Sequence, residues 1–184
     1  MIFKKDIFTI PNLLSLLRLV LIPFYAFVYL KTNRNDLAAA LLMLSCLTDL
    51  LDGFIARRYH SISNLGKFLD PLADKITQLT VILCLGARHT LIRALIPLFL
   101  IKELLQSILA YIHFRNGKTL NGALWAGKIS TAVLFVSTII LTAIPSPGNF
   151  LIRFSVLVDG FFLAISMISY LAAYLIHTSK LCDI

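Results

Sequence analysis

Long apolar runs alternate along the chain with short breaks that carry charged residues, proline or glycine. The runs cover residues 10–30, 37–56, 68–87, 91–114, 124–144 and 151–176. A helix needs about 20 apolar residues to cross the hydrocarbon core of a bilayer, and each run is close to that length. The pattern therefore predicts an all-α integral membrane protein with six transmembrane helices.

The distribution of basic residues indicates how these helices are oriented. An even number of spans places both termini on one side, which also carries Lys4, Lys5, Arg57, Arg58, Lys67, Arg115, Lys118 and Lys180. The opposite side carries Lys31, Arg34, Arg88, Arg93 and Arg153. Because basic residues concentrate in cytoplasmic loops, both termini are predicted to be cytoplasmic. The first eight residues alternate apolar and charged groups and predict a short interfacial segment before the first span.

Composition agrees with a membrane protein and restricts its partners. The 184 residues are 59% hydrophobic and 14% charged, which is too apolar for a soluble domain. Residues 1–184 are predicted to form a single membrane domain, because six spans leave no room for a second one. The net charge of +8 comes from basic residues at the ends of apolar runs. Anionic lipid headgroups and phosphorylated substrates are therefore expected as partners, and nucleic acid is not.

Four carboxylates are concentrated where the second predicted span ends and the third begins. The chain has nine aspartates and glutamates, and Asp49, Asp52, Asp70 and Asp74 belong to this group. A charge inside a membrane helix costs about 2.5 to 3.5 kcal/mol, so each needs a partner or a role. Residues three or four apart share a helix face, so Asp49 and Asp52 form one stripe and Asp70 and Asp74 another. One short loop joins the two helix ends, so the stripes are expected to face each other.

Facing stripes of carboxylates predict a divalent metal site. Four uncompensated negative charges would repel strongly, and oxygen ligands without His or Cys suit Mg²⁺ or Mn²⁺ better than Zn²⁺. Four carboxylates can bridge two ions about 3.5 to 4 Å apart, an arrangement that stabilises phosphoryl transfer. Gly53 and Ala56 leave space for a phosphate or nucleotide, and Arg57 can bind a diphosphate. The alternative is that the aspartates form ordinary ion pairs with Arg57, Arg58, Lys67 and Lys75. The placement of four carboxylates on two facing stripes makes this alternative less favoured than a metal site.

The same segment carries a family signature. Asp49-Leu-Leu-Asp52-Gly53-Phe-Ile-Ala56-Arg57, followed after eight residues by Gly66-Lys-Phe-Leu-Asp70-Pro-Leu-Ala-Asp74, resembles without departure the signature of the CDP-alcohol phosphotransferase family. The opening Pro11-Asn12-Leu-Leu-Ser15-Leu-Leu-Arg18 and the six apolar runs are also similar to that family. The resemblance covers nearly the whole chain.

The resemblance implies an enzyme that moves a phosphatidyl group from CDP-diacylglycerol to an alcohol and releases CMP. It also implies a homodimer, two divalent cations, and a polar cavity open to the cytoplasm, here in a bacterial cytoplasmic membrane. Metal ligands would be Asp49, Asp52, Asp70 and Asp74, and Asp74 would also be the general base. The donor would be bound by Gly53, Ala56, Arg57, Gly66 and Asn12.

Polar residues in later spans indicate which alcohol is the acceptor. Lys102-Glu103 in the fourth span and Gly127-Lys128 in the fifth resemble bacterial phosphatidylglycerophosphate synthases, which implies glycerol 3-phosphate as acceptor, held by Lys128, Lys102, Arg115 and Lys118. The alternative for Lys102 and Glu103 is mutual neutralisation with local partners, although neighbours on a helix point in different directions and the two are not expected to bond directly. Lys128 alternatively extends to the membrane interface. Lys in place of Arg at 102, and Ser130 in place of a second Lys, leave open a cardiolipin synthase that uses phosphatidylglycerol, or another CDP-alcohol phosphotransferase.

Two other classes of function also place carboxylates inside a membrane protein. A small ion transporter would need acidic residues spread through the depth of the bilayer, whereas these four cluster at one end. A catalytically silent scaffold would not need the four carboxylates. The sequence favours the enzyme. Asp159 lies on the predicted opposite side from the site, and the sequence assigns it no function.

Overall fold

The computed structural model describes the backbone at residues 10–32, 34–58, 66–115 and 121–182. Side chains within those ranges are described except at 10–12, 50, 52–58, 66–70, 110, 113–115, 121–124 and 176–182. The described ranges form six α-helices and no strand: α1 Ile10–Phe27, α2 Asn35–Arg58, α3 Gly66–Arg88, α4 Leu95–Arg115, α5 Asn121–Ala143 and α6 Asn149–Cys182. The prediction of an all-α protein is confirmed. The predicted interfacial segment at residues 1–8 lies outside the described residues.

Two helix junctions differ from regular α-helix. A π-helical turn, Val28–Thr32, continues α1, and the Thr32 hydroxyl donates a hydrogen bond to the Val28 carbonyl at 2.7 Å. Before α4, Thr90–Ala94 forms a 3₁₀ turn, and the Arg93 Nε donates to the Gly86 carbonyl near the end of α3 at 2.8 Å. Helix ends leave carbonyls without helical partners, and Arg93 satisfies one of them. The fourth helix consequently begins at Leu95, four residues after the apolar run begins.

Helix α1 exposes apolar side chains and buries polar ones. Leu13, Val20 and Phe24 are exposed, whereas Ser15 and Arg18 are buried. Helix α6 repeats this arrangement, because several of its phenylalanines and leucines are exposed while its buried residues include Ser155, Asp159 and Ser166. Exposed apolar faces of this size would be unfavourable in water but match a lipid environment. The chain is an integral membrane protein.

Three helices of the described part are both long and apolar enough to cross a bilayer: Leu13–Thr32, Trp125–Ala143 and Asn149–Leu175. They correspond to the first, fifth and sixth predicted spans. Helices α2 and α3 are less apolar because they contain the clustered aspartates. The count of six spans and the orientation of the termini stay predictions.

The chain divides into two compact units, and each has its own packing. The first unit contains Met1–Leu85 with Ile139–Ser146. There α1 packs on α2, the Tyr25 hydroxyl lies 3.3 Å from the Thr142 hydroxyl, and the Asn35 amide donates to the Ile144 carbonyl at 3.2 Å. The second unit contains Gly86–Thr138 with Pro147–Ile184. There α4 packs on α6.

Candidate active site

One buried arginine joins three helices of the first unit. Arg18 lies on α1 with only 2% of its side chain exposed. Its Nη1 donates to the Asp49 Oδ1 on α2 at 2.5 Å and to the Asp74 Oδ1 on α3. One aspartate from each predicted stripe therefore contacts the same guanidinium nitrogen.

The two carboxylates of this cluster remain accessible although their arginine partner is buried. The Asp49 and Asp74 side chains are 43% and 46% exposed. Arg18 therefore lies on the closed side of the cluster, and the carboxylates have surface through which a cation can reach them. We refer to Arg18, Asp49 and Asp74 as the arginine–aspartate cluster.

The donor set of the cluster suits a hard divalent cation. Its oxygen ligands are carboxylates, and one guanidinium compensates only one of the two negative charges. No group of three or more potential metal-ligating side chains is found among those that the structure describes. The side chains of Asp52 and Asp70, the other two predicted ligands, are outside that part of the chain.

The predicted donor-binding residues belong to helices that carry the cluster. Gly53, Ala56 and Arg57 are in the last two turns of α2, Gly66 begins α3, and Asn12 is in the first turn of α1. Their side chains lie outside the described part, so the structure gives no contacts for them.

In the second unit, the structure corrects one sequence argument. The Lys102 Nζ donates to the Glu103 Oε1 at 2.7 Å, so the expectation that these neighbours do not bond directly is wrong. A lysine side chain has four flexible carbons and can curve around the helix to reach an adjacent carboxylate. Lys102 is 1% exposed and Glu103 13% exposed. The pair is therefore largely buried and compensates its own charge.

The other predicted acceptor residues have different surroundings. Lys128 on α5 is exposed, and its Nζ lies 5.5 Å from the centroid of the exposed Trp125 ring, within cation–π distance. This contact is compatible with both alternatives raised from the sequence, phosphate binding and an interfacial lysine. Arg115 ends α4 with its side chain outside the described part, and Lys118 lies outside the described residues.

Two buried polar residues, Arg18 and Asp159, have side-chain partners that were not predicted from the sequence. Arg18 was noted only as part of the opening motif, although a charged residue inside an apolar run signals a buried partner. Asp159 on α6 is buried, and its Oδ2 accepts a hydrogen bond from the Ser137 hydroxyl on α5 at 2.6 Å. Its Oδ1 has no hydrogen-bond partner among the described residues. The same signal, a carboxylate in the middle of an apolar run, was present in the sequence.

Comparison with known proteins identifies the family to which the chain belongs. The profile of the family described as CDP-alcohol phosphatidyltransferase matches residues 8–179. The CDP-diacylglycerol–glycerol-3-phosphate 3-phosphatidyltransferase of Escherichia coli (strain K12) is 36% identical over 135 residues, which are 71% of this chain and 74% of the relative. The cardiolipin synthase (CMP-forming)/mitochondrial hydrolase fusion protein of Schizosaccharomyces pombe is 36% identical over 114 residues, which are 61% of this chain and 19% of that protein.

These matches confirm the resemblance that the aspartate signature indicated, and they support the enzyme over the ion transporter. The matched region includes α1, α2 and α3, which carry the arginine–aspartate cluster. The chain belongs to the CDP-alcohol phosphatidyltransferase family and is a membrane-bound phosphatidyltransferase of phospholipid biosynthesis.

Proposed function

We propose that this enzyme transfers the phosphatidyl group of CDP-diacylglycerol to glycerol 3-phosphate and releases CMP. The observation that carries the site assignment is the approach of Asp49 and Asp74 from two helices to one guanidinium. The acceptor assignment is supported by the Escherichia coli relative, whose name specifies glycerol 3-phosphate.

In this proposal the four signature aspartates, Asp49, Asp52, Asp70 and Asp74, hold two Mg²⁺ or Mn²⁺ ions. When bound, the ions would neutralise the donor diphosphate and the charge that develops on the departing CMP. Asp74 accepts the proton of the acceptor hydroxyl. The hydroxyl oxygen forms a bond to the phosphatidyl phosphorus, and the phosphorus–oxygen bond to CMP breaks.

Donor recognition is assigned to residues beside the aspartates. Arg57 would bind the diphosphate through its guanidinium, and Gly53, Ala56 and Gly66 would leave space for the cytidine nucleotide. Asn12 would contribute an amide from α1. The support is their position in the family signature and opening motif, on the helices that carry the arginine–aspartate cluster.

The proposed arrangement in the membrane follows from helix length and charge. Helices α2, α3 and α4 contain 24, 23 and 21 residues, long enough to cross a bilayer core as α1, α5 and α6 do. The enzyme would then be a single domain with six spans and cytoplasmic termini, with its site open to the cytoplasm of a bacterial cell. We also propose a homodimer, on the family resemblance alone.

The acceptor phosphate needs cations that the metal site does not supply. Lys128 is exposed and available to an anion, whereas Lys102 would have to exchange Glu103 for the phosphate. Arg115, the last residue of α4, and Lys118 are the further basic residues proposed for the acceptor phosphate. A dianionic acceptor beside a diphosphate donor requires such groups, and a neutral alcohol does not.

A second acceptor, phosphatidylglycerol, is favoured by two specific observations. Lys102 is already paired with Glu103, and Ser130, where the family resemblance leads us to expect a second lysine, is buried, with its hydroxyl donating to the Gly127 carbonyl at 2.9 Å. The Schizosaccharomyces pombe relative is named as a cardiolipin synthase. The chain would then form cardiolipin and CMP.

Purified protein, CDP-diacylglycerol and a panel of acceptors would separate these alternatives. The panel contains glycerol 3-phosphate, phosphatidylglycerol, serine and inositol phosphate, and CMP release is measured for each. We expect turnover with glycerol 3-phosphate and a loss of turnover in excess chelator. Turnover with phosphatidylglycerol but not glycerol 3-phosphate would assign the chain to the cardiolipin-forming branch.

A further inference from the structure

Arg18 is a charged residue in an unusual place. It lies within the apolar α1, whose neighbouring Leu16, Leu17 and Val20 are exposed, yet its own side chain is almost fully buried. A charge at such a position requires compensation or a function. Here the compensation comes from Asp49 and Asp74, two residues of the proposed metal site.

Two roles are consistent with an arginine bonded to metal ligands. In one, Arg18 is a counter-ion that competes with the cations for the same carboxylates. In the other, it fixes the carboxylates while the cations bind from elsewhere. The burial of the three side chains favours the second role, because Arg18 is buried while the two carboxylates are nearly half exposed. A cation can therefore approach without displacing the guanidinium.

The geometry points to Arg18 as a positioning residue that holds Asp49 and Asp74 in the orientation required for metal binding. This inference rests on the proposed metal site and adds a residue to it. A carboxylate has several acceptor positions, so an oxygen bonded to arginine does not prevent a metal from binding the same group. By fixing one carboxylate on α2 and one on α3 at the same nitrogen, Arg18 also fixes the approach of those helices.

The two roles predict opposite changes in metal affinity. Removing a competing positive charge should tighten cation binding, since the carboxylates lose a repulsive neighbour for the metal. Removing a group that orients the ligands should weaken it, and loss of such outer partners typically lowers metal affinity about 10- to 100-fold. The sign of the change in affinity is therefore diagnostic.

The experiment measures Mn²⁺ binding to detergent-purified full-length protein by electron paramagnetic resonance of the free ion, without any substrate. Arg18→Gln should raise the Mn²⁺ dissociation constant about tenfold or more. Arg18→Lys keeps the charge but is one bond shorter, so its dissociation constant should fall between those of the wild type and Arg18→Gln. Arg34→Gln is the matched control, because Arg34, just before α2, is exposed and pairs with the exposed Asp36 in the first turn of that helix. It should bind Mn²⁺ as the wild type does.

Each result has a defined meaning. If the wild type does not bind Mn²⁺, the proposed metal site fails. If the wild type binds and Arg18→Gln binds equally well or more tightly, the metal site stands and the positioning role is overturned. Size-exclusion chromatography reports whether Arg18→Gln folds. If Arg18→Gln does not fold, Arg18→Lys decides between the two roles. Weaker Mn²⁺ binding by Arg18→Lys than by the wild type supports the positioning role. Affinity equal to that of the wild type overturns it, because only the charge would then be needed.

Discussion

Gly127 on α5 lies so close to Tyr170 on α6 that a Cβ at position 127 would come within 2.8 Å of the Tyr170 hydroxyl oxygen. Tyr170 is 2% exposed and has little room to move. We expect Gly127→Ala to reduce stability by about 1 to 3 kcal/mol, the usual effect of overpacking. The midpoint of thermal unfolding in detergent measures this change.

Two matched variants test the cause of that loss. Gly160→Ala should be neutral, because its nearest neighbour, the Leu98 Cδ2, would be 3.9 Å from the new Cβ. Tyr170→Phe should partly restore Gly127→Ala, since it removes the closest atom, and that hydroxyl has no hydrogen-bond partner among the described residues. Equal unfolding midpoints for Gly127→Ala and Gly160→Ala would contradict the steric explanation.

Loss of a proposed metal ligand should stop turnover without unfolding the protein. Asp49→Ala is expected to lower kcat about 100-fold or more, because the negative charge of the transition state loses its stabilisation. Asp36→Ala is the control, since Asp36 begins the same helix and is largely exposed beside Arg34. CMP release measures turnover. Full activity of Asp49→Ala, or of the wild type in excess chelator, would remove the metal from the mechanism.

Asp74 is proposed both to bind a metal and to accept a proton, and these roles are separable. Asp74→Asn should retain binding of CDP-diacylglycerol better than turnover, because an amide oxygen coordinates weakly but cannot accept the proton. The measurements are equilibrium binding of the donor and single-turnover CMP release. Equal losses in both would make Asp74 a ligand alone.

The Lys102–Glu103 pair predicts a characteristic pattern of stabilities. Glu103→Gln leaves a buried ammonium without its carboxylate, and removal of one partner of a buried pair costs about 3 to 5 kcal/mol. Lys102→Met should restore much of that loss in the double variant, because it removes the uncompensated charge. Thermal unfolding of both single variants and the double variant gives the coupling energy. If the losses of stability in the two single variants simply add in the double variant, Lys102 and Glu103 do not stabilise each other.

The helices were predictable from sequence because membrane spans depend on the length of an apolar run. All six runs overlap α-helices, but their limits moved where local hydrogen bonds intervened. Helix α4 begins late because the Thr90–Ala94 turn precedes it and Arg93 bonds to Gly86. Periodicity contains no information about such a bond.

The site was predictable only in part, for a different reason. Helical spacing placed Asp49 and Asp74 on stripes that were expected to face each other. It could not identify Arg18, which is 31 residues from Asp49 and 56 from Asp74 along the chain. The Lys102–Glu103 bond was missed because helix geometry describes where a Cβ points, not where a long flexible side chain ends.

Lys128 is the residue through which the two acceptors are best distinguished. Its ammonium is exposed and near the Trp125 ring, so it is available to a soluble anion. If the acceptor is glycerol 3-phosphate, Lys128→Ala should raise the KM for glycerol 3-phosphate about tenfold, because a charge-assisted phosphate contact worth about 1.4 kcal/mol or more is lost. The KM for CDP-diacylglycerol should stay unchanged.

Lys31→Ala is the matched control, since Lys31 is exposed near the end of the π-helical turn and has no assigned role. Steady-state kinetics with each substrate varied in turn provides the measurement. An unchanged KM for glycerol 3-phosphate would leave Lys128 as an interfacial residue, because a lysine that only contacts Trp125 at the membrane surface has no effect on a soluble substrate.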